Sequence, residues 1–329
     1  MKVTPEAALK FTKRSIDLMI FWPPSKNSSK IKLFILDLYI CFSFLCAQSV
    51  VLATLNGIYT YRDNFEIIMQ SSCVVIAAMQ VGIKLLTGRL QRSSYQMIIE
   101  EMESVIKQAS PNERDTLEKY IKKVMKLHLS MTFGTYAISA NIVLGPLFLP
   151  QPLPTYAVYP FDVDKHPAYE FAYFHHVYTG IQCAAGQSVD NFVAVLLWFT
   201  GARFEILENE IANIVDESDL KRCILKHIQL LSYAEKVVKT VRIVIFLTVG
   251  ITTILIVFSG LLFLFTDSAA VKSQFLILDI LTIIQMFVNS YPAENLIQRV
   301  IITFLIYLDN INNDNYTTCT LYYFIKNYY

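Results

Sequence analysis

SVDNFVAVLLWFTGARFEILENEIANIVDESDLKRCILKHIQLLSYAEKVVKTVRIVIFLTV, residues 188–249, decides how this chain is organised. It opens on an apolar run ending at Phe199. Arg203, Glu205, Glu208 and Glu210 then enter while Phe204, Ile206, Leu207 and Ile211 keep helical spacing, so the helix is expected to outrun a bilayer and continue into water. Ser218 is the expected N-cap of a returning helix, with Asp219 in its first turn. Along that helix Ile224, Ile228, Leu231, Ala234 and Val238 recur at steps of three and four, an apolar stripe beside a charged face. From Val241 the chain is apolar again. The segment reads as one span leaving a membrane, a charged helical hairpin and one span returning. Its stripe needs a partner, within the chain or on another subunit.

The bulk composition agrees with a membrane protein. Of 329 residues 54% are hydrophobic and 17% charged, with mean hydropathy +0.43, against roughly 25% charged residues in soluble domains. A net charge of +1 leaves no basic excess to neutralise phosphates, which argues against a nucleic-acid partner. The six cysteines form no spaced framework, so core or free thiols are expected rather than disulfides or a metal site. No Gly-rich phosphate loop, HExxH, CxxC or GxSxG occurs, so neither an enzyme nor a cofactor is expected.

Working outward, residues 1–32 form an N-terminal segment whose apolar piece, Ile16 to Trp22, is expected to lie at the membrane surface. Six spans follow, at about 33–55, 65–86, 127–149, 176–199, 241–265 and 274–291, each long enough to cross roughly 30 Å of hydrocarbon. The second carries Glu66, Gln70, Gln80 and Lys84 and should face protein or a wet cavity, since such groups are costly against lipid. Ser110-Pro111-Asn112-Glu113 is a capping box with Pro in the first turn, opening a helix that runs into the third span. Residues 150–174, rich in Pro and Tyr, are long enough to fold as a lid. The fold class is therefore all-α, a multi-pass transmembrane helical bundle.

Orientation follows from Lys and Arg. Segments 1–32, 87–127 and 201–240 carry seven, eight and six, while the alternate loops carry only Arg62, Lys165 and Lys272. That bias puts the N-terminus and both charged helical segments in the cytoplasm. Lys84 and Arg242 are read as further markers of the cytoplasmic ends of their spans.

Several segments resemble the insect odorant receptors: DNFVAVLLWFTGARFEILENE at 190–210, HIQLLSYAEKV at 227–237 and NSYPAENLIQ at 289–298. FWPPS at 21–25, QMIIEEME at 96–103 and the proline-rich lid are similar to the receptors of ants, bees and wasps in particular. The resemblance covers roughly residues 1–298. It implies a seven-span, odour-binding subunit that assembles with the odorant receptor co-receptor, as a hetero-oligomeric tetramer, into a ligand-gated cation channel. The expected place is the plasma membrane of olfactory dendrites. It further implies a subunit anchor on Ile224, Ile228, Leu231, Tyr233 and Ala234. The implied pocket for a small volatile apolar ligand, in the extracellular half, includes Met69, Cys73, Ile138, Ile142, Tyr178, Gln182 and Asp279.

The last 31 residues depart from the family. After Arg299 the apolar run Val300–Leu308 has nine residues, far below the roughly 20 a crossing helix needs. The tail 299–329 is rich in Ile, Asn and Tyr, as translation into an intron would give. It is expected to replace the seventh span and leave the chain unable to complete a pore.

Two acidic residues inside spans have rival readings. Asp190 is either a ligand or ion-path group or a helix–helix hydrogen bond, and Asp279 is either a pocket wall or an interface group. His175-His176 lack a third metal ligand. Rival functions are a gustatory receptor of the same superfamily, a transporter, and a non-conducting assembly subunit.

Overall fold

The computed structural model describes residues 4–148 and 151–313, and side chains through Tyr307 except at 217 and 270. It contains eight α-helices and, among the described residues, no strand. They are α1 (Pro5–Ser15), α2 (Lys30–Thr60), α3 (Phe65–Leu90), α4 (Arg92–Gln108), α5 (Pro111–Val143), α6 (Ala168–Ile211), α7 (Glu217–Phe265) and α8 (Ala269–Asn313). At 44, 49 and 45 residues, α6, α7 and α8 each exceed twice the length of a single crossing, so each leaves the apolar layer and continues as a charged helix.

Local signals account for the starts. Asn64 caps α3 through Oδ1 to the Ile67 N–H at 3.1 Å. At α5 the expected capping box forms, with the Ser110 N–H donating to Glu113 Oε2 at 2.6 Å. The start of α7 differs from expectation. Asp216, not Ser218, is the N-cap, accepting from the Asp219 N–H at 2.7 Å, and the Ser218 hydroxyl lies 2.8 Å from the same carboxylate oxygen. A carboxylate both caps the helix and complements its dipole, which favours it over the hydroxyl two residues on.

Among the described residues four helices, α2, α3, α7 and α8, are long and apolar enough to cross a membrane. Helices also form where the third and fourth spans were expected, as α5 and α6, but neither reaches that apolarity. The reason in α6 is its position. From Ala184 to Ala202 only Gln187 and Val195 are less than fully buried, because α2, α3, α5, α7 and α8 surround it. A helix sheathed by protein can carry polar groups that find partners, whereas α2 presents Ile31, Phe34, Leu38, Leu45 and Leu52, all at least 60% exposed, on one side.

The N-terminal apolar piece turns one side into the protein and leaves Leu18 39% exposed. Ile16, Met19 and Phe21 are fully buried, and Phe21 packs edge-on against Tyr95 at 4.8 Å and Phe192 at 6.1 Å. Gly88 makes this possible, since a Cβ there would sit 2.7 Å from the Phe21 ring. An apolar run amid lysines gives the same pattern whether lipid or a protein groove receives it.

Candidate functional site

A cavity of about 150 Å³ lies between α3, α5, α6, α7 and α8. Its walls are mostly apolar, with Cys73 and Ala77 of α3, Ile138 and Ile142 of α5, Leu255 of α7 and Leu278 of α8. The 151–167 segment folds over one end, where Pro154 and Thr155 join the wall and Leu153 is buried. Two bonds tie this lid to α2: the Val158 N–H donates to the Ala53 carbonyl at 2.9 Å, and Asn56 Nδ2 donates to the Val158 carbonyl at 3.0 Å. Tyr159 fastens it to α6, its hydroxyl lying 3.1 Å from both His175 Nδ1 and His176 Nε2. The two histidines, consecutive on a helix, thus converge on one lid hydroxyl. Among the described residues no group of three His, Cys, Asp or Glu could hold a metal ion.

Of the pocket residues expected from sequence, Cys73, Ile138 and Ile142 line the cavity. The other four lie off its wall because of helical phase. Tyr178 turns to α2, its hydroxyl 2.8 Å from Ser43 Oγ. Asp279 turns to α7, where Ser259 Oγ bonds its carboxylate. Met69 packs beside Cys73, Leu255 and Phe275 without reaching the opening, and Gln182 is buried outside the lining. Gln80, Gln187, Gln274 and Gln285 do line it, with Thr135, Thr179 and His176.

One turn beyond Gln80 and Gln187, Lys84 Nζ lies 2.7 Å from Asp190 Oδ2 and donates to the Gly186 carbonyl at 2.9 Å. Thr248 Oγ1 donates to Asp190 Oδ1 at 2.8 Å. The pair is 3% and 1% exposed and joins α3, α6 and α7. Asp190 is therefore a bundle bond, and Lys84 is an interior partner rather than a marker of sidedness.

At the charged end Arg299 of α8 grips α6, with Nη1 2.6 Å from Glu208 Oε2 and Nη2 2.6 Å from Glu205 Oε2. Lys119 and Tyr120 of α5 reach Glu205 at 2.7 and 2.8 Å, and Thr303 donates to Glu208 at 3.1 Å. Burial pushes the Glu205 carboxyl up, but Lys119, Tyr120 and Arg299 outweigh it and leave it below its usual range. For Glu208 burial prevails over Arg299 and its carboxyl is raised.

The anchor stripe is offset by about one residue from the face that packs inward. Cys223, His227, Leu230, Tyr233, Ala234 and Val237 are buried against the rest of the chain, while Ile224, Ile228 and Leu231 are half-buried and Val238 is 46% exposed. Tyr233 and Ala234 thus pack within the chain, and the remainder of the stripe flanks that contact.

A family model described as 7tm Odorant receptor matches residues 64–324, which takes in most of the tail beyond Gln298. The fold is similar to the structure of the insect olfactory receptor OR5 from Machilis hrabei, with TM-score 0.74 and 12% identity, covering 90% of this chain and 81% of that one. A second structure of that receptor, in complex with eugenol, gives TM-score 0.69 and 15% identity over 85% of this chain and 78% of that one. No curated protein is similar in sequence.

Proposed function

Because this chain belongs to the 7tm odorant receptor family, we propose that it is an odour-binding subunit that joins the odorant receptor co-receptor in a cation channel. Its place is the plasma membrane of olfactory neurons, with the charged end in the cytoplasm. The observation that carries the proposal is the lidded cavity. Its size suits a small volatile molecule, and its apolar walls supply affinity through buried area. The eugenol complex of the Machilis receptor supports a ligand of that scale.

The architecture also supplies a route for the signal. The helix α8 lines the cavity from Gln274 to Gln285 and continues unbroken to Arg299, which holds α6 at the charged end. A ligand that fits better when α8 is displaced shifts the equilibrium toward that arrangement, by no more than its difference in affinity for the two states. Residues 314–329 lie outside the described residues, so binding and assembly are the tests to make first. The purified chain is expected to bind small volatiles and to co-purify with the co-receptor. Ile138→Trp, which fills the cavity, is expected to abolish binding while leaving co-purification intact. Undiminished binding in that variant would move the ligand site elsewhere.

A further inference from the structure

We propose that the cavity selects neutral molecules of about one ring in size that bear a single hydroxyl or carbonyl, and rejects hydrocarbons of the same shape. The inference rests on the cavity being the ligand site and concerns which chemistry it takes.

The distribution of the lining residues carries it. The helices α3, α6 and α8 all start at the lid side of the bundle. On each, the lining residue farthest from the lid is a glutamine, Gln80 on α3, Gln187 on α6 and Gln285 on α8. The walls above them are mostly apolar, interrupted by Thr135, Thr179 and Thr282 and, nearer the lid, by His176 and Gln274, so the cavity has a largely greasy shaft and an amide floor. Gln80 and Gln285 are 6% and 2% exposed. Among the described residues Gln80 Nε2, Gln187 Oε1 and both amide atoms of Gln285 are buried without a hydrogen-bond partner. Carboxamides both donate and accept, so the floor offers complements to either lone pairs or an O–H.

Charge and size narrow the class. No Asp, Glu, Lys or Arg lines the cavity among the described residues, so a carboxylate or ammonium would enter without a counter-ion. A volume of about 150 Å³ is on the scale at which an apolar protein cavity holds benzene. A hydrocarbon would fill the shaft but cover the amides without pairing them. A site built to bond a hydroxyl discriminates strongly against the analogue that lacks it, because its own polar groups are then left unsatisfied.

Benzyl alcohol and ethylbenzene, which have the same number of heavy atoms, make the test. Binding of each to the purified full-length chain in lipid nanodiscs is measured and corrected for partition into empty nanodiscs, with benzoate as the charged comparison. Benzyl alcohol is expected to bind on the order of 10-fold or more tightly than ethylbenzene, and benzoate more weakly than benzyl alcohol. Gln285→Leu is expected to bring the ratio of the two neutral compounds close to one, chiefly by strengthening ethylbenzene, so that retained ethylbenzene binding reports a folded site. Should that variant fail to fold, Gln80→Leu and Gln187→Leu serve in its place. Equal or tighter binding of ethylbenzene by the unaltered chain, or an unchanged ratio in the folded variants, overturns the inference alone. Failure of both neutral compounds to bind overturns it together with the assignment of the cavity as the ligand site.

Discussion

At the floor of the lidded cavity Gln80, Gln187 and Gln285 keep buried amide atoms without protein partners. At the charged end the half-buried Glu205 and the buried Glu208 are bonded at both carboxylate oxygens, by Lys119, Tyr120, Arg299 and Thr303. Buried polar groups in folded proteins are bonded as a rule, and each exception calls for a reason. The difference teaches that the two carboxylates of the charged end are satisfied within one chain, whereas the cavity has bonding capacity left over. Polarity alone would have ranked the two ends the other way, since the charged end holds far more of it. The Lys84–Asp190 pair sits between them, one helical turn past the amide floor.

The largest effect is expected at that boundary. Asp190→Ala leaves Lys84 buried and without its counter-ion, and breaking a buried pair in this way costs about 3–5 kcal/mol. The detergent-extracted chain should lose its folded peak or melt far earlier. Replacing both partners, as Lys84→Met with Asp190→Leu, should recover most of that loss, since well-packed apolar residues of similar volume can substitute for a buried pair. A single variant that melts like the parent would place the pair outside the structural frame and remove the boundary between the two ends.

A smaller effect is expected at the charged end and depends on pH. His227 of the hairpin is buried against Phe204 and stacks on Tyr307, with ring centroids 5.1 Å apart and planes 3° from parallel. Burial lowers its pKa from 6.5 to about 4. Between those values the unfolded chain takes up a proton that the folded chain refuses, so stability falls as pH drops from about 6.5 toward 4. The depressed Glu205 adds its own loss only as pH falls through its lowered pKa, and the raised Glu208 works in the opposite sense. Comparison with His227→Phe isolates the histidine, and the variant is expected to flatten the unfolding midpoint over that window. A profile as steep as the parent's would show that the ring is not held neutral by this packing.

The fold was legible because its signals are local. The Ser110 to Glu113 box, the Pro-rich run that follows α5 and the hairpin from Phe199 to Val241 each lie within a few residues of what they specify. The site was legible in part. The family resemblance brings Cys73, Ile138 and Ile142 to the level of the cavity they line, but which polar group faces inward depends on helical phase. Gln182 and Gln187 are five residues apart on α6, about 140° around the helix, and only the arrangement of the neighbouring helices decides which one meets the cavity. Lys84 was misread for a related reason: a lysine near the end of an apolar run marks sidedness in most spans, and its partner Asp190 is 106 residues away in sequence. Ile16, Met19 and Phe21 could not be assigned to protein or lipid, because both receive apolar side chains equally well.

The smallest effect on the chain itself is expected at Val238, and it bears on whether the charged end is as complete as its ion pairs make it. Val238 is 46% exposed, so Val238→Ser should change the stability of the isolated chain by less than about 0.5 kcal/mol. Tyr233, 1% exposed and donating to the Ile98 carbonyl at 3.4 Å, is the contrasting position, and Tyr233→Ala should destabilise the chain before any partner is considered. If the flank formed by Ile224, Ile228, Leu231 and Val238 seats a second subunit, Val238→Ser combined with Ile228→Ser lowers co-purification with the co-receptor while the lone chain melts nearly as before. If co-purification is unchanged, the apolar demand of the hairpin is met by Cys223, His227, Leu230, Tyr233 and Val237 inside one chain. Assembly must then use another surface, such as the exposed apolar faces of α7 and α8, where Phe246, Val257, Ile277 and Ile283 all stand outward.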